Sequence, residues 1–274
     1  MARKECHDHF WRFAKNLLDN DKASSISPAF SPLEACNFFT DQYSAQPRDY
    51  STPVWMPPPP SPQHAMPSVI PVTQEELLAA IKRSRSASAP SPLDQLPYQV
   101  FKKCPSLVPA LLDLFNTILT EGSIPSSWKV AVFRLIGKSA ATEDPRCPKN
   151  FRPIALTPAV SKLLSGILKD RWLHHMVANG YLDPAVQKAF LPTIPGVTEH
   201  QCKLAAIISG ARQSKRSLAV AWLDIENAYG SVHHSLIQFA MRRYHAPPDF
   251  CNLLQSWYTD VTASISTAEW ESPG

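Results

Sequence analysis

A chain of 274 residues with 44% hydrophobic residues is long enough to bury a core, in one large domain or two small ones. The charged fraction of 18% and the net charge of +4 permit a nucleic-acid partner without requiring one. No apolar run approaches the length of a membrane span, no secretory signal begins the chain, and no two of the six cysteines form a Cys-x-x-Cys pair. We therefore expect an intracellular protein, and the nucleus is a compatible location.

The N-terminal part is expected to have no core of its own. Two short helices are predicted within residues 1–46, across "HFWRFAKNLLDN" and "SPLEACNFFTDQY", and Ser31 and Glu34 form a capping box at the start of the second. Residues 47–72 are a proline-rich linker, because proline excludes helix and central strand. We expect this linker to pack poorly. Recognition by a proline-binding domain is the alternative role for it.

From residue 73 onwards, helix and strand patterns follow one another closely. A capping box at Thr73 predicts one helix, and apolar spacing predicts a second that begins near residue 107 and stops at Gly122. Residues 128–137 alternate and are rich in branched side chains, so they predict a strand. The longest helix is expected at 158–178.

The C-terminal part adds three predicted helices and two predicted strands. The first helix follows a capping box from Thr198 to Gln201, and the others cover "SVHHSLIQFAMRRY" and "PDFCNLLQSWYTD". An apolar run at 217–225 has the length of a buried strand, and 262–267 is a candidate final strand. This order of elements indicates an α/β or α+β domain from about residue 73 to the end.

The apolar run at 217–225 ends in a single carboxylate, Asp224, within "AVAWLDIENAYG". A carboxylate at the rigid end of a buried strand suits a divalent metal, because Mg²⁺ takes few protein carboxylates and completes its shell with water and phosphate. The alternative is that Asp224 caps the following helix or satisfies a turn.

This stretch resembles motif A of reverse transcriptases, in which a strand ends in the catalytic Asp and an aromatic residue, here Tyr229, follows five positions later. "IPSSWKVAVFRLIGK", "NFRPIALTPAVSKLLSGILKDRWL" and "QKAFLPTIPGVTEHQ" are similar, in the same order, to finger motifs of LINE-type, non-LTR retrotransposon reverse transcriptases. The resemblance implies a right-hand polymerase, with fingers at 73–216 and the first part of the palm at 217–274. The N-terminal extension resembles the spacer between endonuclease and polymerase in such elements.

The resemblance also implies roles for individual residues and partners. Asp224 and the backbone carbonyl of Ile225 would ligate Mg²⁺. Tyr229 would lie under the sugar of the incoming deoxynucleoside triphosphate and clash with a 2′-hydroxyl, although an ordinary half-buried tyrosine is the alternative. Lys138 and Arg152 match finger residues that grip the triphosphate, and the nucleic-acid partners would be an RNA template and a DNA primer.

Positive charge is concentrated around the two predicted triphosphate ligands. Residues 134–171 include eight basic and three acidic residues, which places positive potential where a polyphosphate or a template backbone would bind. A solvated helix face is the alternative explanation for Lys162, Lys169 and Arg171.

The chain also departs from the family pattern. Gly230 stands where many relatives have a second Asp, and Ala189 and Leu191 replace the Gly and Arg of the "QxGFR" finger motif. The resemblance ends after motif A, and the sequence contains no Asp-Asp pair of the kind that motif C supplies to a two-metal site. We therefore expect an RNA-directed DNA polymerase by descent that is inactive as this chain stands. The alternatives are a non-catalytic nucleic-acid-binding remnant and a helical interaction module.

Overall fold

The computed structural model describes residues 27–43, 50–67, 70–86, 90–138, 144–191, 196–225 and 227–267. Within these ranges the chain forms eight α-helices and one three-stranded sheet, a mixed helix and strand architecture as expected. The predicted helix across "HFWRFAKNLLDN" lies outside the described residues. No described helix is long and apolar enough to cross a membrane.

Seven of the eight helices follow the proline-rich segment, and one precedes it. Helix α1 (Pro32–Tyr43) begins with the predicted capping box, in which the Glu34 amide donates to the Ser31 hydroxyl at 3.2 Å and the Ser31 amide donates to the Glu34 carboxylate at 2.7 Å. The others are α2 (Gln74–Arg83), α3 (Tyr98–Lys103), α4 (Leu107–Glu121), α5 (Ala159–Ala178), α6 (Val197–Gln213), α7 (His234–Arg243) and α8 (Pro248–Tyr258).

The main hydrophobic core lies among the helices. Its largest fully buried side chains come from α2, α4, α5 and α8: Leu77, Phe115, Leu164, Ile167 and Leu253. Helix α5 is the longest described helix, as predicted, and it passes through this core. Burial of these large apolar side chains is the main stabilising contribution that the structure offers.

Helix ends follow local signals in some places and tertiary contacts in others. Helix α4 stops at Gly122, whose φ of 65° is in the left-handed region that glycine adopts without strain. Helix α5 begins at Ala159, and the amide of that residue donates to the distant carboxylate of Asp94. The capping box predicted from Thr198 to Gln201 is wrong, because α6 already begins at Val197 and has no side-chain cap.

The sheet has the strand order β2-β1-β3, formed by β1 (Val130–Gly137), β2 (Phe151–Leu156) and β3 (Thr262–Ser266). Strands β1 and β2 are antiparallel, whereas β1 and β3 are parallel. The sequence analysis predicted β1 and β3 but made no prediction for β2, which contains Pro153. A proline is tolerated there since β2 lies at the edge of the sheet.

A second core joins α1 to one face of the sheet. Its buried members are Phe30, Ala35, Phe39, Phe151 and Ile265. The rings of Phe30 and Phe151 meet edge to face with centroids 5.3 Å apart, a favourable arrangement for an aromatic pair. The sheet therefore supplies a packing partner for α1.

The proline-rich segment 50–67 contains neither helix nor strand and is mostly exposed, as its composition predicts. It is nevertheless fixed to the fold by hydrogen bonds. The Arg243 guanidinium donates to the Thr52 hydroxyl and the Pro57 carbonyl, and the Tyr181 hydroxyl donates to the Pro60 carbonyl at 2.8 Å. The segment therefore packs poorly, as expected, and these hydrogen bonds attach it to the rest of the fold.

The strand predicted at 217–225 is absent from the structure. This segment is irregular, and its apolar side chains are exposed, with Trp222 at 76% and Leu223 at 96%. No strand of the described sheet pairs with it, and an extended segment without a ladder partner leaves its backbone groups to solvent. Helix α6, which precedes it, also has no buried side chain among its described residues.

Candidate functional site

The five predicted site residues line one cavity beside the free edge of β2. The cavity has a volume of about 970 Å³, and its walls come from α1, the end of β1, strand β2 and residues 224–225 and 227–229. The predicted residues that line it are Lys138, Arg152, Asp224, Ile225 and Tyr229. Folding thus gathers groups from the first strand, the second strand and the chain that follows α6.

The β1–β2 hairpin supplies the basic side of the cavity. Arg152 lies opposite Ile136 in the antiparallel ladder. Lys138 directly follows β1, and its amide donates to the Asn150 carbonyl at 2.9 Å, which fixes the start of the connecting loop. Lys149 also lines the cavity, so one hairpin brings three cationic side chains to a single space. Such a concentration of positive charge favours an anionic ligand.

Residues on either side of position 226 supply a carboxylate and an aromatic ring. Asp224 is exposed, and Tyr229 is 83% exposed. A tight turn follows, in which the Ser231 amide donates to the Asn227 carbonyl at 2.8 Å. Tyr229 is therefore not the half-buried tyrosine of the alternative interpretation, since its ring faces open space in the cavity.

Helix α1 forms a wall of the cavity that the sequence analysis missed. Asp41 and Tyr43 line the cavity, and burial raises the pKa of the Tyr43 phenol. The Tyr43 ring lies so close to Gly230 that a Cβ on this glycine would overlap both the ring and the Asn227 side chain. The i, i+4 spacing of Phe39 and Tyr43, whose rings stack, is the sequence signal that could have predicted a docking face.

The cavity offers oxygen ligands for a metal ion but no complete protein site. Asp224, Asp41 and the Ile225 carbonyl are donors of the kind that Mg²⁺ accepts. Among the described residues, no group of three or more His, Cys, Asp or Glu side chains is placed to hold a metal ion. The donor set therefore fits an ion that takes most of its ligands from water and a bound polyphosphate, and does not by itself fit a pair of ions.

Arg171, one of the basic residues near the predicted site in sequence, has a structural role instead. Its guanidinium donates to both carboxylate oxygens of Glu76 at 2.7 Å, and to the carbonyls of Ile70 and Pro71. Because its side chain is only 14% exposed, the solvated-face alternative is wrong for Arg171. Hydrogen bonding from Arg171 holds the pKa of the Glu76 carboxyl below its ordinary value.

Known proteins similar to this chain are encoded by retrotransposons. The chain is 29% identical over 199 residues to a retrovirus-related Pol polyprotein from a type-1 retrotransposable element R2 of Nasonia vitripennis, an alignment that covers 73% of this chain and 18% of that protein. It is 28% identical over 201 residues to the corresponding polyprotein from the type-2 element R2DM of Drosophila melanogaster, with 73% and 18% covered.

The RNA-directed DNA polymerase from mobile element jockey of Drosophila melanogaster is 26% identical over 202 residues, with 73% of this chain and 21% of that protein covered. The chain thus spans about a fifth of the length of these curated relatives. No family model matches the chain. The similarities nevertheless support a reverse transcriptase domain of the kind found in LINE-type, non-LTR retrotransposons.

Proposed function

We propose that the chain provides nucleotide-binding groups of an RNA-directed DNA polymerase, and that its cavity receives an incoming deoxynucleoside triphosphate. The single observation that carries this proposal is the shared cavity of about 970 Å³, in which cations, a carboxylate and an aromatic ring face one space. A nucleoside triphosphate presents a polyanion, a sugar and a base, and these three kinds of side chain complement it. An RNA template and a DNA primer are the corresponding nucleic-acid partners. We also propose an intracellular location, with the nucleus as a compatible compartment.

Lys138 and Arg152 are proposed to hold the triphosphate. Both lie on the β1–β2 hairpin, where the ladder fixes their backbone positions while their side chains stay exposed to a ligand. Arginine can donate two parallel hydrogen bonds to one phosphate, whereas lysine acts as a compact point charge. The two residues together would neutralise negative charge and orient the polyphosphate along the edge of β2.

Tyr229 is proposed to lie under the sugar. Its ring is exposed in the cavity and follows the carboxylate of Asp224 by five residues. A ring in contact with the 2′ carbon would leave no room for a hydroxyl group there. Tyr229 would therefore favour deoxynucleotides over ribonucleotides by steric exclusion.

Asp224 and the Ile225 carbonyl are proposed to hold a divalent metal, Mg²⁺, together with the bound phosphates. When bound, the ion would neutralise developing charge on the phosphates. Asp224 would hold the ion on its own side of the cavity. Its side chain is exposed and is therefore accessible to the ion.

The proposal is tested by ultraviolet crosslinking of radiolabelled dATP to the purified chain, with unlabelled ATP as competitor. Lys138→Ala and Arg152→Ala should each weaken dATP binding about tenfold or more, because hydrogen bonds to charged groups contribute about 1.5–3 kcal/mol. Tyr229→Ala should retain dATP binding and make ATP a better competitor.

Lys103→Ala is the matched control, since Lys103 is exposed at the end of α3 and does not line the cavity. It should leave crosslinking unchanged. Equal crosslinking in the wild type and in both hairpin variants, or unchanged competition by ATP in Tyr229→Ala, would contradict the proposed roles.

A further inference from the structure

A second basic cavity lies between α2 and α5, separate from the candidate site. Its volume is about 320 Å³, within the range of about 300–1,000 Å³ that is usual for ligand sites. None of its lining residues also lines the candidate site. Four cationic side chains face it: Arg83, Arg85, Lys162 and Lys169.

Only part of this positive charge is neutralised by the protein. Arg83 and Lys169 form ion pairs with the same carboxylate, Asp170. Arg85 and Lys162 form no ion pair within the residues that the structure describes. The cavity therefore retains an excess of positive charge even after Asp170 and the nearby Asp94 are counted, and an anion is the complementary ligand.

The charge of Lys162 is partly desolvated, and a bound anion would stabilise it. Its side chain is half-buried, and burial lowers the pKa of its ammonium group although the charge of Asp94 opposes this shift. Asp94 already accepts a hydrogen bond from the Ala159 amide at the start of α5. A negative ligand in the cavity would offset the cost of burying the Lys162 charge.

The cavity also has room and a hydrogen-bond donor. A Cβ on Gly166 would meet no atom within 4 Å, so the surface of α5 is open at this position. The phenol of Tyr98 lines the cavity, and burial together with Asp94 raises its pKa, which keeps the hydroxyl protonated. Cations, a hydroxyl donor and open space together suit a phosphate group.

We propose that this cavity between α2 and α5 binds a backbone phosphate of a nucleic-acid strand, at a site distinct from the nucleotide cavity. The side chains of Arg83 and Lys169 are 58% and 63% exposed, so the cavity has an open rim that a continuous strand can cross. The inference rests on the proposed function in so far as the partner is a nucleic acid. Free inorganic phosphate is the other source of the same chemistry.

The test measures the fluorescence anisotropy of a labelled single-stranded RNA titrated with the full chain at several salt concentrations. Gly166→Glu introduces a carboxylate among the four cations, and we expect about tenfold weaker RNA binding at low salt with a shallower salt dependence. Arg85→Ala should reduce the salt slope by about 0.7, the value for one lost phosphate contact with a single strand.

Gly166→Ala is the matched control, because it adds a Cβ to the same open position without charge. It should bind RNA as the wild type does. Unchanged RNA affinity and salt slope in both Gly166→Glu and Arg85→Ala would overturn the inference. The inference is also overturned if inorganic phosphate binds in the wild-type cavity while RNA binding does not depend on that cavity.

Crosslinking of dATP to the same variants separates this inference from the proposed function. Gly166→Glu should keep dATP crosslinking while RNA binding falls, since the two cavities share no lining residue. Parallel loss of dATP and RNA would mean that the substitution acts through the nucleotide cavity and would overturn the inference. Absence of dATP crosslinking in the wild type, with RNA binding still sensitive to Gly166→Glu, would reject the proposed function and retain this site.

Discussion

The pairing of Arg171 with Glu76 is predicted to be a main electrostatic contribution to the contact between α2 and α5. Arg171→Ala removes two hydrogen bonds of 2.7 Å to the Glu76 carboxylate and two more to the backbone carbonyls of Ile70 and Pro71. It leaves a carboxylate whose side chain is 31% exposed without its cationic partner.

Loss of one partner from a fully buried ion pair costs about 3–5 kcal/mol. Because water can reach Glu76 in part, we expect a smaller loss for Arg171→Ala, about 2–3 kcal/mol of unfolding free energy. The assay is urea unfolding followed by circular dichroism. With a denaturant slope of about 2–3 kcal/mol/M, the midpoint should fall by about 1 M.

Arg83→Ala is the matched control, since Arg83 joins the same two helices through Asp170. Its side chain is 58% exposed, and an exposed pair contributes less than about 1 kcal/mol. The reasoning is refuted if Arg171→Ala lowers the urea midpoint no more than Arg83→Ala does. An altered slope in the Arg171 variant would also contradict it, because the prediction concerns the native contact alone.

Four further outcomes are expected. The lowered pKa of Glu76 implies a contribution to stability that is complete above its ordinary value of 4.5 and is lost as the pH falls through the lowered value. The urea midpoint of the wild type should therefore fall in acid, and Glu76→Gln should lack the part of this fall that is due to Glu76. Leu164→Ala should cost about 2–5 kcal/mol of unfolding free energy in the same assay, because Leu164 is fully buried. Gly230→Ala should cost about 1–3 kcal/mol by displacing the Tyr43 ring, whereas Gly166→Ala should not lower the midpoint. Arg243→Ala should accelerate limited proteolysis within 50–67, whereas the same change at the neighbouring, exposed Arg242 should not.

Elements whose ends depend on nearby residues were predictable from sequence. The capping box at Thr73 places the start of α2, with both of its hydrogen bonds present, and Gly122 ends α4. The alternating apolar pattern predicted β1. In each case, the residues that decide the structure lie within a few positions of the element, so tertiary context did not have to be known.

Elements that depend on a distant partner were predicted less well. The apolar run at 217–225 has strand composition, but a strand also needs a neighbour for its ladder, and the sequence pattern contains no information about that neighbour. Strand β2 shows the reverse case. Proline is unfavourable in a central strand, yet the edge position of β2 makes the missing donor of Pro153 harmless.

The candidate site also has a part that local sequence predicted and a part that depends on distant contacts. The predicted ligands come from short motifs, and they line one cavity. The wall formed by α1 was missed, because the approach of Tyr43 to Gly230 joins segments that lie far apart in the chain. The roles assigned to Asp224, Tyr229, Lys138 and Arg152 stay predictions until the binding experiments are done.

The parallel pairing of β3 with β1 limits when the sheet can form during translation. Strand β1 and the aromatic face of α1 leave the ribosome long before β3, yet Ile265 of β3 completes the core that contains Phe39 and Phe151. Until β3 has been synthesised, that aromatic face has an incomplete cover, and exposed apolar surface on a nascent chain favours aggregation or capture by chaperones. Closing so long a loop also slows folding. Folding of the sheet layer therefore has to wait until β3 has left the ribosome.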